Sequence, residues 1–61
     1  MKYYNVYYLI RVDGDEVEQF IDLFANNAKE ACELCKEFVK AYYGQVAIRP
    51  VAKEDWRRKH E

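Results

Sequence analysis

The chain contains no serine and no threonine, and it has a single histidine, a single proline, two glycines and two cysteines in 61 residues. Lack of the two hydroxyl amino acids removes Ser and Thr nucleophiles, and phosphorylation at such residues, from consideration. The lone histidine, His60, stands next to the C-terminus, and the expectation is a solvated tail residue, since an imidazole there is held in the geometry of general-base catalysis only if the tail docks. Long apolar runs are also missing: no stretch approaches the ~20 residues of a membrane-crossing helix. Asn5 and Arg11 interrupt the apolar segment from Tyr3 to Val12, so the N-terminus does not read as a signal peptide. The expectations are no membrane partner and a cytoplasmic location.

Charge of either sign is in short supply as a net quantity. Ten basic and eleven acidic side chains leave a formal charge of −1, which gives no general attraction to nucleic acid or to an anionic membrane. The distribution is less even. Asp13, Asp15, Glu16, Glu18, Asp22, Glu30, Glu33 and Glu37 face only Lys29 and Lys36 between Asp13 and Glu37. Arg57, Arg58 and Lys59 follow Trp56 near the end of the chain.

What is abundant is apolar and aromatic side chain, 51% and 16% of residues, six of them tyrosine. Lys2 to Val12 is rich in Tyr, Val, Ile and Leu and predicts a strand. Its even positions place Tyr4, Val6, Tyr8, Ile10 and Val12 on one face, and its odd positions place Tyr3, Asn5, Tyr7, Leu9 and Arg11 on the other. Asp13-Gly14-Asp15 carries hairpin chemistry, and Glu16 to Ala25 is the expected antiparallel partner. Asn27 with Glu30 three residues later forms a capping box for a helix from Ala28 to Tyr43, closed by Gly44. Ala28, Ala31, Cys32, Cys35, Phe38, Val39 and Tyr42 form its inward stripe, with Lys29, Glu33, Lys36, Glu37 and Lys40 on the solvated side. Gln45 to Arg49 reads as a third strand with Val46 and Ile48 inward, ended by Pro50.

These elements predict an α+β domain of ββαβ order over residues 1–52, with one helix on one face of a three-stranded sheet in the order 2-1-3. Residues 53–61 read as a charged tail or short helix. A domain this short buries only ~60% of its unfolded surface, and commonly gains stability from a disulfide, a metal or a partner chain. Cys32 and Cys35 are too close in sequence to close a useful loop, so self-association is the expected aid.

Cys32-Glu33-Leu34-Cys35 matches C-x-x-C. A zinc site needs further ligands, and a thioredoxin-type pair sits at a strand-to-helix junction, whereas this pair falls in the second turn of the helix. Packing of two small apolar residues against the sheet is the expectation, with no metal and no cofactor. The acidic group Asp13, Asp15, Glu16 and Glu18 lacks the spacing of a calcium-binding loop and is read first as turn chemistry, then as a flank that steers a basic partner surface.

One helix leaves one sheet face without a cover. The strand alternation puts Tyr3, Tyr7, Leu9, Phe20 and Phe24 on that face. Each aromatic contributes ~150–250 Å² when buried, so together they exceed the few hundred Å² of contiguous apolar surface usual for soluble monomers. Three covers fit: a second copy, a different protein, or single-stranded nucleic acid stacked on the rings. Tyrosine enrichment favours protein, and the acidic hairpin and missing ribonucleoprotein signature disfavour nucleic acid. Trp56, Arg57, Arg58 and Lys59 are the candidate contacts in the nucleic-acid alternative. A fold-back of residues 51–56 over the face is the internal alternative.

The stretch Ile21-Asp22-Leu23-Phe24-Ala25-Asn26-Asn27-Ala28-Lys29-Glu30-Ala31 resembles the strand-to-helix junction of small ββαβ proteins of bacteriophages and mobile elements, anti-CRISPR inhibitors among them. The resemblance covers about a fifth of the chain and rests on an A-x-N-x-x-E-A core that is largely capping chemistry. It implies a protein that acts in a host cytoplasm by binding a host or defence-system (CRISPR-type) protein, and it assigns no functional residue. The expected function is a non-enzymatic protein-interaction module, homodimeric, with a small nucleic-acid-binding domain as the alternative.

Overall fold

The computed structural model describes residues 1–55. β1 (Lys2–Val12) and β2 (Asp15–Ala25) form a hairpin, α1 (Ala28–Tyr43) follows, and β3 (Ile48–Glu54) returns to the sheet. The sheet is antiparallel with the order β2-β1-β3. The tyrosine-rich strand is therefore central, as its apolar content predicts.

A two-residue turn sets the hairpin register. Asp13 and Gly14 both have positive φ, 51° and 85°, the requirement of the turn whose twist matches paired strands. From the Val12–Asp15 pair the ladder runs without a shift to Lys2 and Ala25. Side-chain alternation follows directly from it: Tyr4, Val6, Tyr8 and Ile10 point to the helix side and are buried, together with Ala25, Ala31, Cys35, Val39 and Ala47.

Asn27 caps the helix by accepting from the Glu30 N–H at 2.8 Å. Glu30 reaches back one residue beyond the cap, accepting from the Asn26 backbone N–H at 3.1 Å and from Asn26 Nδ2 at 3.2 Å. Gly44, at φ 65°, ends the helix by donating to the Lys40 carbonyl at 3.1 Å.

The third strand departs from expectation. It begins at Ile48, passes through Pro50 and continues through Lys53 and Glu54, which the sequence places in a tail beyond residue 52. Val46 is exposed and Ala47 is buried in its place. Proline fits because β3 is an edge strand, where an absent N–H costs no ladder bond if it faces outward. Between the Tyr7–Val51 and Leu9–Ile48 pairs, Arg49 and Pro50 stand against Tyr8 alone, which makes a bulge. Arg49 has φ 47° there, a conformation that favours glycine.

The helix stripe is also narrower than predicted. Ala31, Cys35 and Val39 are buried and Cys32 is half-buried, whereas Ala28, Phe38 and Tyr42 are exposed. Three strands give one helix too narrow a floor to bury a seven-residue stripe.

Candidate functional site: the open sheet face

The face opposite α1 is built by the hairpin register. Tyr3 pairs with Phe24, Asn5 with Asp22, Tyr7 with Phe20, Leu9 with Glu18 and Arg11 with Glu16. Directly paired residues share a face, so Tyr3, Tyr7, Leu9, Phe20 and Phe24 are brought together. The Tyr3 and Phe24 rings meet edge to face with centroids 4.9 Å apart, and the Tyr7 and Phe20 rings are tilted at 5.7 Å. Such pairs add ~0.5–1.5 kcal/mol beyond their buried area. They nevertheless leave Phe20 63% and Phe24 57% exposed. Leu9 and Tyr3 are half-buried.

β3 widens this face rather than covering it. Val51 pairs with Tyr7 and Lys53 with Asn5, and Lys53 Nζ stands 6.0 Å from the Tyr7 ring centroid, a cation–π distance. Tyr7, Glu18, Val51 and Lys53 line a shallow hollow of about 320 Å³. The internal alternative, a fold-back of 51–56 over the face, is therefore corrected over Val51 to Glu54, which form a strand beside β1. The Asp55 N–H continues that edge by donating to the Tyr3 carbonyl at 2.8 Å. Trp56, Arg57, Arg58, Lys59 and His60 lie outside the described residues.

The acidic flank divides into three. Asp13 is in the turn and Asp15 opens β2, Glu18 lies on the open face opposite Leu9, and Glu16 is engaged twice. Its Oε2 accepts from Arg11 Nη2 at 3.3 Å and its Oε1 from Arg49 Nη2 at 3.0 Å. One carboxylate thereby ties β2 to β1 and to the β3 bulge. Exposed pairs of this kind are each worth ~0–1 kcal/mol.

The alternation places Asn5 and Asp22 on the face of the rings, as the structure shows, whereas Val51 and Lys53 were missed as their neighbours. Val51 and Lys53 were legible in principle, since they alternate as a strand does once Pro50 is allowed inside an edge. A second exposed apolar surface was missed because Phe38 and Tyr42 were assigned inward and Leu34 was placed on neither face. Leu34, Phe38 and Tyr42 lie on a flank of α1, with Phe38 and Tyr42 rings 4.5 Å apart.

The cysteines sit apart from the open face. Cys35 is fully buried and Cys32 Sγ lies 3.5 Å from the Pro50 carbonyl oxygen, which it reaches as a weak donor. Burial pushes the Cys35 thiol up to about 11, with the neighbouring Cys32 adding to the rise. A thiol so raised is protonated near neutrality and is a poor nucleophile. Among the described residues no group of three or more His, Cys, Asp or Glu side chains is placed to hold a metal ion. No helix of the described residues is long and apolar enough to cross a membrane.

The architecture is that of a small α+β ββαβ domain in which no element of the described residues covers one sheet face. No family model matches the chain, and neither a curated protein nor a solved structure matches it.

Proposed function

We propose that the protein is a non-enzymatic interaction module that binds a protein partner through the open sheet face. The observation that carries this is the pair of exposed ring contacts, Tyr3 with Phe24 and Tyr7 with Phe20, held on two strands in fixed register. Rigid aromatic side chains present large contact area at low entropic cost, which is what hot spots of protein interfaces use. Asp22, Glu18 and Lys53 border the rings and supply a polar rim. The partner class follows from the resemblance of residues 21–31 to phage and mobile-element proteins: a host or defence-system protein, CRISPR-type nucleases included, met in the host cytoplasm.

The test is a pull-down from candidate host lysate with the double variant Tyr7→Ser/Phe20→Ser. Specific capture by the wild-type chain, lost in the variant while far-UV helicity is kept, supports the proposal. Undiminished capture by the variant overturns it.

Nucleic acid is the second occupant, favoured by the cation over the Tyr7 ring. Charge weighs against it, because Glu16, Glu18 and Asp22 share the open face and Glu16 engages Arg11 and Arg49. Oligonucleotide binding that falls steeply with salt, and further on replacing Arg57 and Arg58, would favour this occupant. Absence of binding at low salt removes it.

A further inference from the structure

β2 is an edge strand with neither a bulge nor a proline, and its only protection against a further strand is the charge of Asp15, Glu16, Glu18 and Asp22. It runs for 11 residues with no proline, glycine or lysine, and its ladder to β1 has no bulge. An edge of this kind offers unpaired backbone N–H and C=O groups to a further strand. A second feature opens on the same side. Leu23 of β2 and Leu34, Phe38 and Tyr42 of α1 line an apolar groove of about 380 Å³, in which Phe38 is 41% and Tyr42 72% exposed.

We propose that both are filled by a second copy of this chain, joined through antiparallel β2–β2 pairing about a two-fold axis at Ile21. An axis perpendicular to the sheet keeps both helices on one side and pairs residues of the same parity, so whichever alternate backbone groups point outward can close the ladder. Charge then selects the register, because like charges directly opposite are unfavourable. An axis at Phe20 sets Glu18 against Asp22 of the other copy, and one at Gln19 sets Glu16 against Asp22. An axis at Glu18 or Asp22 sets that carboxylate against its own mate, and one at Leu23 shortens the pairing to Ile21 through Ala25. With Ile21 on the axis, Val17 through Ala25 pair with no two acids opposite: Glu18 meets Phe24, and Asp22 meets Phe20. The same movement brings the groove beside Leu34 and Phe38 toward its mate, so the helix flanks close over the seam on one side. The open faces stay accessible on the other and join into one surface of six strands. This goes beyond partner binding by the open face and is read by a different measurement.

Sedimentation of the full chain over a concentration series tests it, with a reversible dimer as the expected result. Phe20→Glu sets a new carboxylate against Asp22 in both halves of the seam and weakens the dimer about tenfold. Phe20→Lys sets opposite charges there, keeps the dimer and makes it salt-sensitive, although it removes a ring from the open face. Leu34→Glu, at an exposed helix position, weakens the dimer with helicity unchanged. A chain that stays monomeric at every concentration overturns the proposal and leaves the edge to another protein. Equal dissociation by both Phe20 variants also overturns it, since that marks packing between open faces. So does association untouched by Leu34→Glu.

Discussion

β2 and β3 border the same central strand, yet one edge is long and regular while the other is short and bent. β2 offers eleven residues in unbroken register, with exposed Val17, Phe20 and Phe24 alternating across its two faces. β3 has seven residues, and its pairing is interrupted where Arg49 takes a positive φ beside Pro50. A bulge and a proline are devices that stop an edge from recruiting strangers. Here they carry a local cost, since a non-glycine residue in the left-handed region is strained by ~1–2 kcal/mol. The difference teaches that the two edges are protected by different means: β3 by a bulge and a proline that bend its backbone, β2 only by the charge of Asp15, Glu16, Glu18 and Asp22 on a regular one.

The largest expected effect removes the common support of both edges. Tyr8→Ala, in the buried centre of β1, leaves a large cavity and costs about 3–5 kcal/mol in chemical denaturation, enough to unfold a marginal domain. If the variant stays folded at a cost under ~1 kcal/mol, the edges do not depend on the central strand as described.

Next in size is a pH effect from the floor under the helix. Cys35 titrates near 9 when unfolded and is raised to about 11 when folded. Below pH 9 the thiol is protonated in both states and costs nothing. Above it the unfolded chain loses the proton first, so stability falls as pH rises from about 9 to about 11, by roughly 2–3 kcal/mol at most. Cys35→Ala should flatten that window in alkaline denaturation. An unchanged slope would mean that the thiol is not held away from solvent.

Two smaller tests address the bulge. Arg49→Gly relieves the positive φ and forfeits one exposed ion pair, for a net gain of about 0.5–1 kcal/mol in thermal or denaturant unfolding. A loss of stability instead would show that the tie to Glu16 outweighs the strain. Glu16→Gln loosens both guanidinium contacts and should cost under ~1 kcal/mol, with the difference shrinking in high salt.

Much of this contrast is legible in the sequence, because the signals are local. Asp13-Gly14 specifies a two-residue turn, the turn fixes the register, and the register puts Tyr3, Tyr7, Leu9, Phe20 and Phe24 on one face. Asn27, Glu30 and Gly44 likewise bound the helix where capping chemistry says they should. The third strand was obscured because proline is a stop in a central strand and acceptable in an edge, and sequence alone does not say which applies at Pro50. The inward assignment of Phe38 and Tyr42 failed for a related reason. Helical periodicity names a stripe, whereas the width of the surface beneath decides how much of that stripe is buried.

The Asp13-Gly14 turn also orders events in time. β1 and β2 are joined by only two residues, and a hairpin of this kind closes in about 1–10 μs. β3 is joined to β1 only through the hairpin and the helix, so its pairing carries a larger loop-closure cost for an interrupted ladder. The last strand to arrive should be the first to leave. Amide protons of Val51 to Glu54 that bond to β1 should therefore exchange faster than those linking β1 to β2, and a protease added under native conditions should gain access at the β3 end while the hairpin remains closed.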